Sequence, residues 1–427
     1  MKKSTILIKG AKVIDPATNF DAVGDVFIQG DTISRVGNCQ GCHADKIIEA
    51  KDKIVMPALV DMHVHLREPG REDKETVASG TKAALHGGVT ALLAMPNTNP
   101  AIDCAKTAEL LSQIIKKTAQ TEVFICGAIT KNREGRELSD IAGLKKNGAI
   151  ALSDDGSSVD NSELMRKAFK AAKKAGLLVI CHCEDKTLSQ DGAVNLGFTS
   201  TRLGLKGIPK ESEYKRLGRD VELAKETGAR VHIAHVSCKE SVEIIARAKK
   251  EKVAISAETA PHYFSLSDQA VLGFDTNAKM NPPLRGKDDV EAVKAALRQG
   301  IIDCIASDHA PHTPNEKDIE FERAAFGVIG LETELAAAIT ELVLPGILSW
   351  LELSKLMSYN PAKVLGINKG KLSPGAPADI IIVSPDKEWA VGKERFFSKS
   401  KNSCFLGRKL KGEVSCTIHR GEIKWSL

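Results

Sequence analysis

The sequence predicts an α/β fold, a (β/α)8 TIM-type barrel with a small β-rich domain formed from both termini. Two observations carry this prediction. Across residues 58–366, eight short apolar runs alternate with helical patterns, the order expected of parallel barrel strands joined by helices. Residues 1–57 and 367–427 instead give short strand-like segments separated by turn residues, and two such ends most simply pair in one domain.

The apolar runs predict the eight barrel strands. Between them, stretches such as Asn161–Ala175 and Lys239–Lys250 repeat apolar residues on one helical face, so helices are expected there. Residues 331–366 also look helical. The predicted strands are Leu59–Leu66, Val89–Met95, Val123–Ile129, Ala149–Ser153, Leu177–Cys183, Arg230–Val236, Val253–Ala257 and Ile302–Ser307.

The charge balance argues against two classes of partner. The 427-residue chain has 60 Lys and Arg against 55 Asp and Glu, and its net charge of +5 is spread along the sequence, so neither nucleic acid nor a membrane is expected as a partner. No apolar run approaches the roughly 18 residues of a membrane span, and we expect a soluble, cytoplasmic protein. A basic stretch from Lys393 to Lys411 could dock an acidic partner, but a solvated face is the simpler interpretation.

The cysteines predict reduced thiols. Ten are scattered along the chain, and several lie inside apolar strand-like runs, where cysteine behaves as a small hydrophobic residue. Cys39 and Cys42 have the C-x-x-C spacing, but no second pair lies nearby and a glycine separates them, so a hairpin tip is expected rather than a zinc or redox site.

Residues suited to metal binding gather at the ends of the predicted strands, where barrels of this type build their active sites. His63 and His65 lie two residues apart in a strand and therefore face the same way. Asp154 and Asp155 end the fourth strand, and Asp308 ends the eighth. Of the eleven histidines, seven lie at or after these ends: His63, His65, His182, His235, His262, His309 and His312.

This set of side chains predicts hydrolysis of an amide bond or its reverse. Four histidines and a carboxylate could hold two divalent metals, and nitrogen and oxygen ligands without thiolate favour zinc over manganese or cobalt. Bound metal lowers the pKa of water and so supplies hydroxide for attack on a carbonyl. An unpaired Asp308 could take the proton and return it to the leaving nitrogen.

Four motifs resemble those of the dihydroorotases of the amidohydrolase superfamily, in particular the bacterial class I type. The resemblance covers essentially the whole chain. It implies a zinc-dependent cyclic amide hydrolase that reversibly cyclises N-carbamoyl-L-aspartate to L-dihydroorotate with loss of water, the third step of de novo pyrimidine biosynthesis. The motifs are Asp61–Gly70, Met95–Thr98, Ser153–Gly156 and Ala306–His312.

The resemblance also implies a role for each site residue. Asp308 is expected to be both a metal ligand and the proton shuttle, Asn281 to contact the ring amide, and Phe326 and Gly327 to lie over the pyrimidine ring. The other implied metal ligands are His63, His65, Asp155, His182 and His235. The residues implied to bind the substrate carboxylate are Arg67, Asn97 and His312.

The bridging ligand needs a choice between two neighbours. Many members of the superfamily bridge their metals with a carboxylated lysine, whereas the fourth predicted strand ends in Asp154 and Asp155 without one. Adjacent residues of a strand face opposite ways, so only one can point at the metals, and we choose Asp155. Two zinc ions per subunit, bridged by Asp155, are therefore expected, with a single zinc left open.

Alternative functions differ in what they require of the site. Allantoinase or hydantoinase is the nearest alternative, and Arg67 argues against it because a guanidinium binds a free carboxylate, which dihydroorotate has and allantoin lacks. A barrel that serves only as a structural partner of aspartate transcarbamoylase should lack ligands, and this chain keeps them. Homodimer formation and binding to aspartate transcarbamoylase stay open. Residues 310–330 could close over the site as a lid.

Overall fold

The structure is a computed structural model that describes residues 4–427, so residues 1–3 of the predicted small domain lie outside it. The strands in chain order are β1 (Thr5–Asp15), β2 (Phe20–Gln29), β3 (Thr32–Gly37), β4 (Lys46–Glu49), β5 (Ile54–Pro57), β6 (Leu59–Val64), β7 (Val89–Ala94), β8 (Glu122–Gly127), β9 (Ala149–Ser153), β10 (Leu178–Cys181), β11 (Val194–Asn195), β12 (Gly207–Ile208), β13 (Val231–Ile233), β14 (Ile255–Thr259), β15 (Cys304–Ile305), β16 (Ile380–Ala390), β17 (Lys409–His419) and β18 (Glu422–Ser426).

The helices lie mainly between the barrel strands. They are α1 (Val77–Gly87), α2 (Ala105–Thr118), α3 (Ile141–Lys146), α4 (Ser162–Ala175), α5 (Lys186–Ser189), α6 (Phe198–Leu203), α7 (Glu211–Thr227), α8 (Lys239–Lys250), α9 (Pro261–Ser265), α10 (Lys287–Arg298), α11 (Pro314–Lys317), α12 (Glu334–Ala338), α13 (Trp350–Ser354) and α14 (Asn360–Leu365). Short π-helical turns, Ile339–Val343 and Lys355–Tyr359, follow α12 and α13. Within residues 4–427, no helix is both long and apolar enough to cross a membrane.

Eight parallel strands form a nearly closed barrel in the order β6-β7-β8-β9-β10-β13-β14-β15. The end of β6 meets the segment that follows β15, where Val64 pairs with His309 and the His65 amide donates a hydrogen bond of 2.9 Å to the His309 carbonyl. The predicted barrel is confirmed, because each of the eight predicted runs overlaps one of these strands.

The sixth and eighth barrel strands are shorter than the apolar runs that predicted them. The run Arg230–Val236 contains only Val231–Ile233, and the run Ile302–Ser307 contains only Cys304–Ile305. Just beyond these strands, His235 and Asp308 have positive φ values of 37° and 49°, which a continuing strand does not allow. The chain therefore turns at the two positions where it presents a candidate site residue.

Alternate residues of the barrel strands pack into different apolar clusters. In β10, Val179 belongs to a large cluster that includes helix residues such as Phe169, whereas Ile180 belongs to a separate cluster with Ala151 and Cys304 of other strands. A strand that buries both faces needs apolar residues at consecutive positions. This explains why the barrel strands appear in the sequence as continuous apolar runs.

The two ends of the chain form one mixed sheet in the order β18-β17-β16-β5-β1-β2-β3, with β4 paired to β1. Antiparallel pairing of β5 with β16, with Val55 opposite Ile382, joins the N-terminal strands to the C-terminal ones. The residue boundaries of the two domains stay a prediction. Cys39 and Cys42 lie in a turn between β3 and β4, and all ten cysteines are free thiols.

Candidate active site

Six of the predicted site residues converge at the carboxyl ends of five barrel strands. His63 lies in β6 and His65 follows it, while the others follow β9, β10, β13 and β15. All six are buried, with Asp308 the most exposed at 8%. The converging residues are His63, His65, Asp155, His182, His235 and Asp308.

Asp155 lies at the centre of this cluster. Its Oδ1 is 3.2 Å from His63 Nε2, 3.3 Å from His235 Nε2 and 3.5 Å from His182 Nδ1, and its Oδ2 is 3.4 Å from His65 Nε2. Two groups of ligand atoms result, each within 4.8 Å: Asp155 with His63 and His65, and Asp155 with His182 and His235. One carboxylate is thus shared between two pairs of imidazoles.

Asp154 points away from the histidines. Its Oδ1 accepts hydrogen bonds from the amides of Ile129 (2.8 Å) and Thr130 (3.0 Å), and its Oδ2 accepts one from the Thr130 hydroxyl. Asp154 therefore supports the loop that follows β8, while its neighbour Asp155 faces the cluster.

Asp308 lies beside the first pair of histidines. Its Oδ1 is 3.3 Å from His65 Nε2 and 3.7 Å from His63 Nε2. Burial raises the pKa of Asp308, but the hydrogen bond to His65 and the charges of His63 and His235 outweigh burial and hold the pKa well below its ordinary value. The carboxylate is therefore ionised at neutral pH and can accept a proton.

Glu258, which the sequence analysis did not identify as a site residue, binds His63 through the ring nitrogen that does not face Asp155. His63 Nδ1 donates to Glu258 Oε1 at 2.6 Å, and Glu258 Oε2 lies 3.2 Å from His232 Nε2. Burial raises the pKa of Glu258, but the charge of His63 and the hydrogen bonds to His232 and His63 lower it to about 2. Glu258 directly follows the predicted strand Val253–Ala257, and this position at a strand end could have marked it as a site residue in the sequence.

The cluster fits divalent metal. Glu258 occupies Nδ1 of His63, and Nε2 of this buried ring has no hydrogen-bond partner among the described residues, although it faces Asp155. Nδ1 of His235 also lacks a partner there. Metal-binding histidines commonly present one nitrogen to the metal while a carboxylate holds the other. Imidazole nitrogens and carboxylate oxygens without thiolate are a donor set that suits zinc.

Arg67, His312 and Phe326 form a second group on the same face. The Arg67 guanidinium donates to the Pro311 carbonyl at 3.2 Å and has one terminal nitrogen 3.5 Å from His312 Nε2. His312 Nε2 donates to the Phe326 carbonyl at 2.7 Å, and Lys74 donates to His312 Nδ1 at 3.2 Å. Burial lowers the pKa of Arg67 to about 10, so the guanidinium remains charged at neutral pH.

Of the two predicted asparagines, one contacts the histidine cluster directly and the other reaches it through Glu184. Asn97 Oδ1 accepts a hydrogen bond of 2.7 Å from His65 Nδ1. Asn281 donates to Glu184 Oε2 at 3.2 Å, and the same oxygen lies 3.2 Å from His182 Nε2. Glu184, which follows β10, thus connects Asn281 to the cluster.

Phe326 and Gly327 lie in the segment after β15. The Phe326 ring has the Lys279 ammonium 4.4 Å from its centroid. Gly327 has φ 114°, and a Cβ there would come within 2.7 Å of Ala310 Cβ, so the close approach requires glycine.

His262 lies in α9, where burial lowers its pKa to about 4, and its Nε2 has no hydrogen-bond partner among the described residues.

Comparisons with known proteins agree with this architecture. Residues 52–241 match the family described as Dihydro-orotase-like. A protein named dihydroorotase from Elusimicrobium minutum is 52% identical over 418 residues, covering 98% of this chain and 97% of the relative. A dihydroorotase from Pelotomaculum thermopropionicum is 48% identical over 418 residues, covering 98% of both chains.

Solved structures of hydantoinases share the fold. The L-hydantoinase (dihydropyrimidinase) from Arthrobacter aurescens superposes with a TM-score of 0.90 at 23% identity, covering 100% of this chain and 96% of that one. A D-hydantoinase gives a TM-score of 0.87 at 24% identity, covering 99% and 95%. At this low sequence identity, the structural similarity shows a shared fold and does not show a shared function.

Proposed function

This chain belongs to the dihydroorotase family, and on that premise we propose that it interconverts L-dihydroorotate and N-carbamoyl-L-aspartate in pyrimidine biosynthesis. The observation that carries the chemistry is the Asp155 carboxylate shared by four buried histidines, with the ionised Asp308 beside them. Such a centre suits hydrolysis of a cyclic amide and, in reverse, its closure.

The proposed cofactor is zinc, with two ions per subunit and a single zinc as the alternative. His63 and His65 would hold one ion, His182 and His235 the other, and Asp155 would bridge them. Asp308 would complete the ligand set. Bound zinc supplies a Lewis acid that polarises the amide carbonyl and lowers the pKa of water.

Asp308 is the proposed catalytic residue. Its carboxylate is ionised and can therefore accept the proton of the attacking water, and the same carboxyl then returns that proton to the ring nitrogen as the amide bond breaks. In the cyclisation direction the two transfers run in reverse order. His65 Nε2, 3.3 Å from Asp308 Oδ1, would keep the carboxylate oriented during both proton transfers.

The proposed substrate contacts follow from the group around Arg67. Arg67 and His312 lie close enough to share one carboxylate, and we assign Asn97 to the same carboxylate from the side of His65. Asn281 would bind the ring amide. Phe326 and Gly327 would pack against the pyrimidine ring, where the half-buried guanidinium of Arg67 favours a ring that bears a carboxylate over hydantoin or allantoin.

A cytoplasmic location, a homodimer and association with aspartate transcarbamoylase also stay proposals. Light scattering on the eluting peak of a size-exclusion column, with and without transcarbamoylase, tests the last two.

The main test is metal analysis combined with a dihydroorotate hydrolysis assay. We expect the purified protein to contain zinc, to hydrolyse dihydroorotate, to lose activity on chelation and to regain it with zinc. Full activity after complete removal of metal would refute the proposed centre. Zinc-loaded protein that hydrolyses hydantoin but not dihydroorotate would refute the proposed substrate.

A further inference from the structure

A segment of the C-terminal region lies across the loops of the candidate active site. This segment, Phe396–Asn402, which we call the strap, runs between β16 and β17 of the terminal sheet. It falls within the basic stretch that the sequence suggested was a solvated face. Ser398, Ser400 and Asn402 are nevertheless buried, with exposures of 0%, 4% and 6%.

The first half of the strap binds the loop that follows Arg67. The Ser398 hydroxyl and the Lys399 amide both donate to the carboxylate of Glu75, and the Ser400 hydroxyl donates to the Lys74 carbonyl at 2.7 Å. Glu75 is fully buried and also lies 3.4 Å from Nε2 of His309, the residue after Asp308. This half of the strap therefore joins the loop after β6 to the end of β15.

The last residue of the strap, Asn402, binds the segment after β15 that carries His312 and Gly327. Its Oδ1 accepts a hydrogen bond of 3.1 Å from the His312 amide, and its Nδ2 donates to the carbonyls of Ala310 and Gly327, at 3.2 Å each. Its own carbonyl accepts from the Ile329 amide at 2.9 Å. One side chain thus ties the main chain of His312 to that of Gly327.

An asparagine suits this position better than any similar side chain. The three main-chain groups around it are one amide and two carbonyls, and a carboxamide offers one acceptor and two donors in return. Aspartate has no donors for the carbonyls, and glutamine is longer by one methylene. Because Asn402 is buried, each main-chain group that is left without a partner costs free energy.

A second buried side chain reinforces the same loop. Lys317 donates to the carbonyls of Ala325 and Gly327, at 2.8 and 3.0 Å. The Gly327 carbonyl is therefore held from two sides, by Lys317 and by Asn402.

We infer that Asn402 is a positioning residue for the substrate carboxylate. It sets the main chain of His312 against Gly327, and so fixes where the His312 ring and the Phe326 carbonyl lie relative to Arg67. The inference rests on the proposed function, which gives Arg67 and His312 the carboxylate. It makes a residue outside the barrel part of what determines substrate affinity.

The test is the Asn402→Ala variant, assayed with dihydroorotate at matched zinc content. We expect KM to rise about tenfold with kcat within about twofold of wild type, because the lost interaction serves substrate and transition state alike. A role in stability alone would lower the active fraction, and therefore kcat, at unchanged KM. Asn402→Ser keeps an oxygen that can accept from the His312 amide, and we expect an intermediate KM.

The matched control is Asn147→Ala. Asn147 also donates from its side-chain amide to a main-chain carbonyl, that of Gly143 at 2.8 Å, but it lies just before β9, at the amino end of a barrel strand. Its KM should equal that of wild type.

Three results would overturn the inference while leaving the proposed function intact: an unchanged KM in Asn402→Ala, an equal rise in Asn147→Ala, or failure of both Asn402 variants to fold. Zinc-loaded wild type that does not hydrolyse dihydroorotate would overturn the proposed function, and the inference with it.

Discussion

Asp308 shows at the scale of a single residue how the backbone prepares a side chain for chemistry. Asp308 follows β15 with a φ of 49°, and its carboxylate faces His65 at 3.3 Å. A non-glycine residue in this region is uncommon and carries a cost that the surrounding contacts must offset.

The first prediction concerns Asp308→Asn. An amide oxygen can still bind metal, so the variant should keep most of its zinc, but it cannot accept the proton, and kcat should fall by roughly a hundredfold or more. Zinc content by mass spectrometry and kcat for dihydroorotate, measured on the same sample, check this. Near-normal kcat with zinc bound would move the proton-transfer role to another group.

The second prediction concerns Arg67→Met. Charge-assisted hydrogen bonds contribute on the order of 1.5–3 kcal/mol, so kcat/KM for dihydroorotate should fall roughly tenfold to more than a hundredfold. Rings without a carboxylate, such as dihydrouracil, should lose little. The control is Arg166→Met, which removes a guanidinium from the surface of α4, where Arg166 pairs with Glu226. Equal losses for both kinds of substrate would mean that Arg67 supports the site rather than binding the carboxylate.

The third prediction concerns Glu258→Gln. The amide keeps the shape of the side chain but removes the charge that holds His63 Nδ1, and changes to such supporting carboxylates typically weaken metal binding about 10–100-fold. Competition with a chromophoric chelator measures the zinc affinity. Wild-type affinity in the variant would show that His63 needs no carboxylate behind it.

At the scale of elements, two loops of the site depend on one close approach. Gly70, in the loop after β6 that carries Arg67, has φ 95°, and a Cβ there would come within 1.8 Å of the Asn99 carbonyl oxygen. Asn99 lies after β7, and its amide donates to the Pro69 carbonyl at 2.9 Å. The loops bearing Arg67 and Asn97 are therefore held together at Gly70.

The fourth prediction compares Gly70→Ala with Gly176→Ala. Gly176 directly follows α4 and has φ 66°. No other atom lies within 4 Å of the place where an alanine Cβ would be, so alanine there adds only backbone strain, about 1 kcal/mol. Gly70→Ala adds a steric clash and should lower the thermal midpoint further, with a loss of kcat/KM that Gly176→Ala does not share. If Gly70→Ala and Gly176→Ala changed the thermal midpoint and kcat/KM equally, the close approach of the loops bearing Arg67 and Asn97 would not matter for stability or activity.

Elements were more predictable than the contacts between them. Periodicity placed α8 at Lys239–Lys250 and β9 at Ala149–Ser153, with the bounds that the structure has. A motif also pointed to Asp155 over Asp154, but only the register of β9 decides which one faces the histidines. Asn402 could not be found in this way, because its partners His312 and Gly327 lie 90 and 75 residues away along the chain, and no local pattern marks such a contact.

At the scale of the whole molecule, a buried charge cluster joins the terminal sheet to the barrel. Asp379 accepts hydrogen bonds from His419 at 2.8 Å and from Lys369, and its carbonyl accepts from the amide of Ala58, just before β6. Burial raises the pKa of Asp379, but the hydrogen bond of His419 and the charge of Lys369 outweigh burial and lower it below its ordinary 3.8.

The fifth prediction follows from the sign of this shift. A depressed folded-state pKa contributes stability that is complete above the unfolded value of 3.8 and is lost as pH falls through the lower folded value. Asp379→Ala should therefore cost about 2 kcal/mol near neutral pH, because His419 loses this carboxylate and the buried Lys369 keeps only Glu122, at 2.7 Å. The difference from wild type, measured by urea unfolding, should narrow as pH falls below 3.8. A difference that does not change with pH would refute a charge-based role.

The strand order of the terminal sheet also determines when a newly made chain can complete it. Strand β16 lies between β5 and β17, so β5 has no neighbour on that side until residues 380–390 have left the ribosome. The nascent protein carries an unpaired, apolar sheet edge throughout synthesis of the barrel, and such edges invite aggregation. Chaperones that shield this edge during translation should therefore raise the yield of active enzyme, and ribosomes that stall before residue 380 should release chains that aggregate.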